Sequence, residues 1–386
     1  MSAFYIKDRV KNFGKAPHQS VTALAGKMQG VLNLGSGDPD FDTPKHIRDA
    51  AVTALEGGMT HYPPTSGIAD LRSALAEYHG KYGINWKSSE VVVTVGSGSA
   101  LYVAMAGVIN PGDEVILLEP YFMGYRNPIS FLGASLVPVP LDEDTNWHID
   151  LEVLKDAVTP KTKIILVCSP NNPSGTVFTK KELQGIAEIA IDNKTLVLSD
   201  EVYNEFVWDD NKHQSIAAIP GMRENTIVCG SFSKTWAMTG WRLGYVIADQ
   251  SMSYHLSKIP VGYRPTAFVQ QAGYQAVKGP WGPVEEMLEE YDRRRKHSVA
   301  RLNEIDGIEC QMPEGAFYVF PNIEAIEPKS EKFCEELLKE EKVLVLPGTT
   351  FGHSGESHIR IPLIQPVEVM EKAYSAIESY ANRKLK

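Results

Sequence analysis

Few cysteines and no long apolar segment are found in this sequence, and both absences narrow what the protein can be. The four cysteines lie far apart and none forms a Cys-x-x-Cys pair, so neither a disulfide framework nor a thiolate zinc site is indicated. No apolar run reaches the roughly 18 residues that cross a bilayer, and the first residues lack the apolar stretch of a secretion signal. Basic residues (38) are fewer than acidic ones (48), and the net charge of −10 argues against a general nucleic-acid binder. We therefore expect a cytoplasmic enzyme or binding protein without a metal site and with no membrane or nucleic-acid partner.

The middle of the chain alternates short apolar runs with amphipathic stretches. The 386 residues give a prior of about two to three domains. Strands alternating with helices favour βαβ units and a mostly parallel sheet, which predicts an α/β fold. Because ligands bind at the carboxyl ends of the strands in such sheets, the five strand ends should meet at one site. The five strand-like runs are 90–95, 114–120, 163–170, 195–203 and 226–234.

The character of the sequence changes after about residue 280. Residues 283–304 are long and charged and predict a solvated connecting helix, with the basic run 293–297 on its surface. Three later runs, at 316–321, 343–348 and 358–363, predict the strands of a smaller α+β unit. We expect the first 44 residues to pack with this unit. The predicted domains are therefore a large α/β domain at 45–280 and a small α+β domain formed by 1–44 plus 281–386.

A glycine- and serine-rich turn follows the first predicted strand. Residues 96–100 read GSGSA, and free backbone amides at the start of a helix can bind a phosphate. Leu101 stands where a dinucleotide fingerprint needs glycine, and the Gly-Lys-Ser/Thr of a Walker motif is absent. A single phosphate therefore fits better than NAD or ATP. A simple strand-to-helix turn remains the alternative.

Three further segments place polar side chains at strand ends. SPNNPSG (169–175) indicates a rigid turn that could also hold an amide donor, and Asp200 and Tyr203 follow the next apolar run. Lys234 lies among small residues at the end of 226–234, with Arg242 eight residues later. Each taken singly has an ordinary alternative: a turn, a helix cap or a solvated surface charge.

Taken together, these segments resemble the pyridoxal-phosphate aminotransferases of fold type I, classes I and II. The motifs SPNNPSG, SDEVY and SFSKTWAMTGWRLGY match that family in order and spacing. GDPDFDTP (37–44), HYPPTSGIADLR (61–72), EGAFYVF (314–320) and HIRI (358–361) match as well. The resemblance covers about residues 30 to 365. It implies a large domain with a mostly parallel sheet sandwiched by helices, and a smaller α+β domain.

The resemblance also implies pyridoxal 5′-phosphate as the cofactor, and it assigns catalytic roles to three residues. Lys234 resembles the lysine that forms a Schiff base with the cofactor and then moves the substrate proton. Asp200 is expected to keep the pyridine nitrogen protonated, and Tyr203 to bond the 3-oxygen with Asn172. The remaining cofactor contacts implied are the phosphate ligands Ser97, Gly98, Ser99, Ser231 and Arg242, the ring-stacking Phe122, and Tyr62. Tyr62 resembles a tyrosine that reaches the neighbouring subunit's phosphate, which implies a homodimer with shared active sites.

The substrate site implied by the family centres on Arg360, which resembles an arginine that binds the substrate α-carboxylate with both nitrogens of its fork. Gly37 and Asn172 are expected beside it. Two departures bear on specificity. Gly98 stands where many relatives carry a larger residue, and Arg264 stands where the family usually has serine or threonine. Arg264 is therefore a candidate reader of a second anionic group. His18 aligns with a segment that closes over substrates, but we expect it to be exposed.

These residues favour an aminotransferase that passes an amino group from an L-amino acid to a 2-oxo acid in a ping-pong cycle through pyridoxamine phosphate. A β-lyase acting on a sulfur amino acid would use the same cofactor and lysine and remains the alternative. A cofactor-binding sensor domain of a transcription regulator is a third candidate, although the roughly 30 residues before the family match do not resemble a helix-turn-helix.

Overall fold

The computed structural model describes residues 6–11, 13, 16–260 and 265–386. Within these residues a seven-stranded sheet has the order β2-β8-β7-β6-β5-β3-β4. All neighbouring strands are parallel except β8, which runs antiparallel to β2 and β7. The mostly parallel sheet is confirmed. The strands are β1 Leu32–Asn33, β2 Val91–Thr94, β3 Glu114–Glu119, β4 Ser135–Pro140, β5 Thr162–Cys168, β6 Leu196–Asp200, β7 Thr226–Ser231, β8 Gly244–Ile247, β9 Tyr318–Val319, β10 Val343–Leu344, β11 Leu346–Pro347 and β12 Ile359–Pro362.

Helices cover the sheet on both faces. In β5, alternate residues point to opposite sides: Ile165 packs with the residues of α8, and Ile164 packs with those of α5. Burying one such side chain contributes about 1.5–3 kcal/mol relative to leaving it in water. The helices are α1 Asp8–Lys11, α2 Pro17–Ala25, α3 Lys45–Glu56, α4 Ala69–Tyr78, α5 Gly96–Val108, α6 Arg126–Leu132, α7 Leu151–Ala157, α8 Lys180–Asp192, α9 Gln250–Leu256, α10 Ala267–Lys278, α11 Gly282–Leu302, α12 Ser330–Glu341 and α13 Val367–Lys384.

Helix α8 shows how the local sequence sets an element's start. Thr179 precedes it, and its hydroxyl accepts the N–H of Glu182 at 3.2 Å. The carboxylate of Glu182 in turn accepts the N–H of Thr179 at 2.7 Å, which completes a capping box. The buried residues Leu183, Ile186 and Ala190 then recur at helical spacing on the face that packs against the sheet.

The strands after residue 280 belong to two small sheets, one of three strands and one of two. β12 pairs antiparallel with both β11 and β9, and β1 pairs parallel with β10. Helix α2 packs against α12. Helix α2 and strand β1 therefore pack with the late part of the chain, whereas Arg9 of α1 donates to the carbonyl of Phe131 in α6.

The long helix α11 corrects one expectation. Its basic run is solvated only in part: Arg293 and Lys296 are exposed, but Arg294 and Arg295 are 3% and 0% exposed. Arg294 donates to Asp40 at 2.8 and 2.9 Å, and Arg295 donates to Asp209 and to the carbonyl of Pro313. Two arginines of this helix therefore bind loops that are distant from it in the sequence. Among the described helices, none has the length and apolar character that crossing a bilayer requires.

Candidate active site

Most of the predicted site residues line one cavity of about 630 Å³ at the carboxyl edge of the large sheet. The volume suits a cofactor together with a small substrate. These predicted residues are Gly37, Ser97, Gly98, Phe122, Asn172, Asp200, Tyr203, Lys234, Arg242 and Arg360. The convergence of the five strand ends is confirmed.

Four predicted residues stand apart from this lining. Ser99 lies within the first turn of α5, and the Ser231 hydroxyl accepts the N–H of Ser233 at 3.1 Å; neither is among the cavity-lining residues described. Tyr62 is 91% exposed on the surface. Arg264 lies outside the described residues. The roles assigned to these four residues stay predictions.

Lys234 follows β7 in a loop that enters the cavity. Its Nζ donates to the carbonyl of Gly37 at 2.5 Å. Burial lowers the pKa of its amine to about 8; the carboxylate of Asp38 opposes this, and the charges of Arg360 and Arg242 reinforce it. Because a neutral amine is the nucleophilic form, Lys234 is closer to a reactive state than a surface lysine at the same pH.

Asp200 ends β6, beside the floor of the cavity. It is 3% exposed, and its carboxylate accepts the hydroxyl of Tyr125 at 2.7 Å. Burial raises the pKa of Asp200 to about 6, although the hydrogen bonds from Tyr125 and Val202 oppose that rise. Within the described part of the chain this carboxylate has no cationic partner. A protonated ring nitrogen is the kind of ligand group that it lacks.

Tyr203, Asn172 and Arg360 form a connected wall of the cavity. The amide nitrogen of Asn172 donates to the Tyr203 hydroxyl at 3.4 Å, and its oxygen accepts from Arg360 Nη1 at 3.4 Å. Both distances are at the long end for a hydrogen bond, so Asn172 can reorient toward a ligand.

Arg360 is buried without a carboxylate partner among the described residues. It lies on β12, is 2% exposed, and donates from Nη2 to the carbonyl of Gly35 at 2.6 Å. Among the described residues its Nε has no hydrogen-bond partner. Burial lowers the pKa of its guanidinium, while Tyr318 and Tyr203 oppose the shift. A buried fork with an unused N–H fits a small carboxylate.

Another part of the cavity lining, at the start of α5, suits an anion. Helix α5 begins at Gly96, where a Cβ would come within 2.6 Å of Arg242 Nη2. Gly96 also has a positive φ of 76°. Glycine here therefore lets the arginine lie directly against the positive end of the helix, beside Ser97 and Gly98. The donors and the charge suit a phosphate.

Several cavity residues are absent from the sequence-based assignment. Tyr125 lies three residues after Phe122 in EPYFMGY. In a helical turn this spacing places both side chains on one face, and that spacing could have predicted Tyr125 as a cavity residue. Nothing in the sequence distinguishes Tyr318 or Asp38 as a cavity residue, apart from its position within a motif that matches the family. The expectation that His18 is exposed is wrong: it is half-buried, its Nδ1 has no partner among the described residues, and burial and then Arg360 lower its pKa.

Comparisons with known proteins place this site in a family. A sequence model described as aminotransferase class I and II matches residues 29–377. The chain belongs to that family. It is 41% identical to an aspartate aminotransferase of Pyrococcus horikoshii, over 97% of each protein. It is 38% identical to aromatic-amino-acid aminotransferase 2 of Thermococcus litoralis, over 98% of this chain and 99% of that protein. The solved structure of an aromatic aminotransferase from Pyrococcus horikoshii matches with a TM-score of 0.90 at 40% identity, covering 95% of this chain and all of the other.

The chain is therefore a pyridoxal-phosphate-dependent aminotransferase of fold type I, acting on amino acid and oxo acid substrates. The named relatives do not favour the β-lyase alternative. The residues of the cavity fit the cofactor, because they combine a buried carboxylate without a described cationic partner, a lysine with a lowered pKa, and an arginine at the glycine-rich start of a helix.

Proposed function

We propose that this aminotransferase takes an L-amino acid with a large uncharged side chain, an aromatic one above all, as its donor. Three described cationic side chains line the cavity: Lys234, Arg242 and Arg360. The cofactor's covalent bond, its phosphate and the substrate α-carboxylate use one each. None of the three then remains for a side-chain carboxylate, and Asp38 on the lining would repel one. The acceptor proposed is a 2-oxo acid, 2-oxoglutarate or pyruvate.

The rest of the lining supports an aromatic donor. Gly98 is exposed at the cavity and a Cβ there would meet nothing within 4 Å, so no side chain fills that space. Apolar and aromatic surface comes from Leu101, Phe122, Met123, Tyr125 and Tyr318. Contact with these apolar and aromatic side chains stabilises a bound aromatic ring more than it stabilises a carboxylate, which loses its hydration there.

The lining supports the cofactor-binding roles, except those of Ser99 and Ser231, which are not among the lining residues and rest on the family resemblance. Bound pyridoxal phosphate supplies an electron sink that stabilises the negative charge developing at the substrate α-carbon. Asp200 would hold the pyridine nitrogen protonated, and Tyr203 with Asn172 would bond the 3-oxygen. Phe122 would pack against the ring. The phosphate would be held by Ser97, Gly98, Ser99, Ser231 and Arg242.

The proton transfers belong to Lys234. Its Nζ, freed of the Gly37 carbonyl, would take the proton from the substrate α-carbon and return it later in the cycle. A pKa lowered to about 8 keeps an appreciable fraction of the amine neutral near neutral pH. Arg360 would hold the α-carboxylate, with Gly37 and Asn172 beside it, so that the reacting carbon stays near Nζ.

The proposal extends to assembly and location. Tyr62 is a large aromatic residue left 91% exposed, as expected for a side chain that contacts a second subunit. We propose a homodimer in the cytoplasm in which Tyr62 reaches the neighbouring subunit's phosphate. The division into 45–280 and 1–44 plus 281–386 is part of the same proposal.

The test is a series of single L-amino acids added to the cofactor-loaded protein without any oxo acid. Phenylalanine and tyrosine should convert the bound cofactor to its amine form, seen as loss of the visible absorption band, at concentrations at least about tenfold below those that aspartate requires. Lys234→Ala should abolish the conversion, while Lys258→Ala, at an exposed lysine beside Tyr254, should not.

Other outcomes of that series would contradict the proposal. A preference for aspartate would overturn the donor class. Release of pyruvate and ammonia from a donor with a β-leaving group, without an oxo acid, would restore the lyase. A monomer by light scattering, with full activity, would remove the role of Tyr62.

A further inference from the structure

Tyr318 touches three groups that serve three different tasks in the cavity. It lies on β9, is 1% exposed and is part of the lining. Its hydroxyl lies 2.8 Å from the hydroxyl of Tyr203, and the Arg360 guanidinium lies 4.7 Å from its ring centroid. A Cβ on Gly37 would lie 2.3 Å from the Tyr318 hydroxyl. The phenol therefore packs directly on the backbone that holds Lys234.

The direction of the hydrogen bond between the two tyrosines follows from counting protons. Tyr203 has one hydroxyl proton and already accepts from the amide of Asn172. Among the described residues, Tyr318 has only Tyr203 as hydrogen-bond partner for its hydroxyl. If Tyr203 donated to Tyr318, the proton of Tyr318 would be buried against Gly37 without an acceptor, which is costly. The favourable arrangement has Tyr318 donating and the proton of Tyr203 directed into the cavity.

The ring of Tyr318 makes a separate contact. The Arg360 guanidinium lies near a second aromatic ring as well, with the centroid of Phe351 5.0 Å away. Each ring face attracts the guanidinium. The hydroxyl and the ring of one residue thus act on different partners, so they can be removed one at a time.

We propose that Tyr318 is a positioning residue whose hydroxyl directs the proton of Tyr203 toward the 3-oxygen of the cofactor while its ring supports Arg360. This rests on the role proposed for Tyr203. One buried phenol would thus act on two groups: through Tyr203 on the ring oxygen of the cofactor, and through Arg360 on the carboxylate of the substrate.

The experiment is a pH titration of the visible absorption of the cofactor-loaded protein, without substrate. A donor to the 3-oxygen favours its anionic form, so weakening that donor should raise the apparent pKa of the band. Tyr318→Phe keeps the ring and removes the hydroxyl that polarises the O–H of Tyr203, and should raise that pKa by about 0.1 to 0.3, a fraction of the value of one neutral hydrogen bond. Tyr374→Phe is the matched control, because it removes a buried hydroxyl that donates to Ser298 at 2.7 Å, outside the cavity lining. It should leave the titration unchanged.

A second pair of variants tests the path of the effect. In a Tyr203→Phe background the apparent pKa should already be raised, and adding Tyr318→Phe should change it no further.

The role of the ring is tested by the binding of 3-phenylpropionate, a carboxylate without an amine. Its dissociation constant should stay within twofold in Tyr318→Phe and rise at least about fivefold in Tyr318→Leu, which loses the ring.

Several results would overturn the inference. If Tyr318→Phe left the titration unchanged while Tyr203→Phe shifted it, the hydroxyl of Tyr318 would have no positioning role and the role of Tyr203 would stand. An equal shift in Tyr374→Phe would point to general loosening. A further shift in the Tyr203→Phe background would mean that Tyr318 acts on the cofactor directly. No shift in Tyr203→Phe would remove both the proposed role of Tyr203 and this one.

Discussion

Two buried arginines, Arg294 on the long helix and Arg360 in the cavity, are about equally hidden from water but differ in their partners. Arg294 donates to both oxygens of Asp40, to Glu290 and to a backbone carbonyl. Arg360 donates to one carbonyl and, at 3.4 Å, to an amide oxygen, and its Nε has no partner within the described part of the chain. Burial disfavours both charges. The carboxylates outweigh it at Arg294, whose pKa is raised, whereas the pKa of Arg360 is lowered.

The difference separates a charge that holds the fold from one kept for a ligand. A buried cation with matched carboxylates fixes two segments together, here α11 and the loop containing Asp40. A buried cation without them costs stability, and the cost is offset only when an anion arrives. The same substitution at both positions should therefore have opposite consequences.

Arg360→Met should give the largest effect, and on activity. Losing two charge-assisted hydrogen bonds to the α-carboxylate, about 1.5–3 kcal/mol each, should lower kcat/KM by about 10²- to 10⁴-fold. The urea midpoint should stay the same or rise, because an uncompensated buried charge is removed. Steady-state kinetics and urea unfolding of the same preparation measure both. A marked fall in the midpoint with little loss of kcat/KM would assign Arg360 to the fold.

Arg294→Met should show the reverse pattern. It leaves Asp40 and Glu290 without their shared cation, and stability should fall by about 3 kcal/mol; those carboxylates stay partly in water, which limits the loss. The folded enzyme should keep kcat/KM within about tenfold, since Arg294 does not line the cavity. Denaturant unfolding followed by fluorescence gives the first quantity. A loss of activity comparable with that of Arg360→Met would end the distinction between the two arginines.

His148 extends the comparison to a charge that titrates. It lies between Glu182 and Glu314, at 2.9 and 3.3 Å, and hydrogen bonds to these carboxylates raise its pKa to about 10. A raised pKa in the folded state adds stability that is complete below pH 6.5, the ordinary value, and is lost as pH rises toward about 10.

His148→Gln should therefore cost stability at pH 6 and little at pH 10. The difference should be about 1–2 kcal/mol, allowing for the partial exposure of the imidazole to solvent. Urea midpoints of both proteins at pH 6, 8 and 10 measure it. A gap that stays constant over that range would show that the histidine contributes by packing alone.

The residue pattern predicted the sheet and the polar residues at its strand ends for a physical reason, and the family resemblance supplied the other cavity residues. Apolar runs of β-branched residues can be buried on both faces only in a sheet covered by helices, and parallel strands bring their carboxyl ends to one edge. The residues at those ends, Asp200 and Lys234 among them, follow directly.

The partners of charged side chains could not be predicted in the same way. Whether Arg294 faces water or Asp40 depends on a contact between residues 254 positions apart, which no local pattern encodes. The burial of His18 and the contact of Tyr318 with Tyr203 are likewise tertiary. The composition of α11 favoured solvent, and packing of two loops against it decided otherwise.

Substitutions of Gly98 should have the smallest effects, and they test whether a cation at this position of the cavity lining changes the donor preference. A Cβ there meets no atom within 4 Å and lies in α5, so Gly98→Ala should raise stability by about 0.4–1 kcal/mol without altering donor preference. Gly98→Lys should instead add a fourth cation to the lining and raise kcat/KM for aspartate relative to phenylalanine by about two- to fivefold, the value of a solvent-exposed ion pair. The ratio of the two kcat/KM values across wild type, Gly98→Ala and Gly98→Lys is the measurement. An unchanged ratio in Gly98→Lys would mean that the side chain of the donor does not reach this wall, and that Arg360 reads the donor's carboxylate without help from the start of α5.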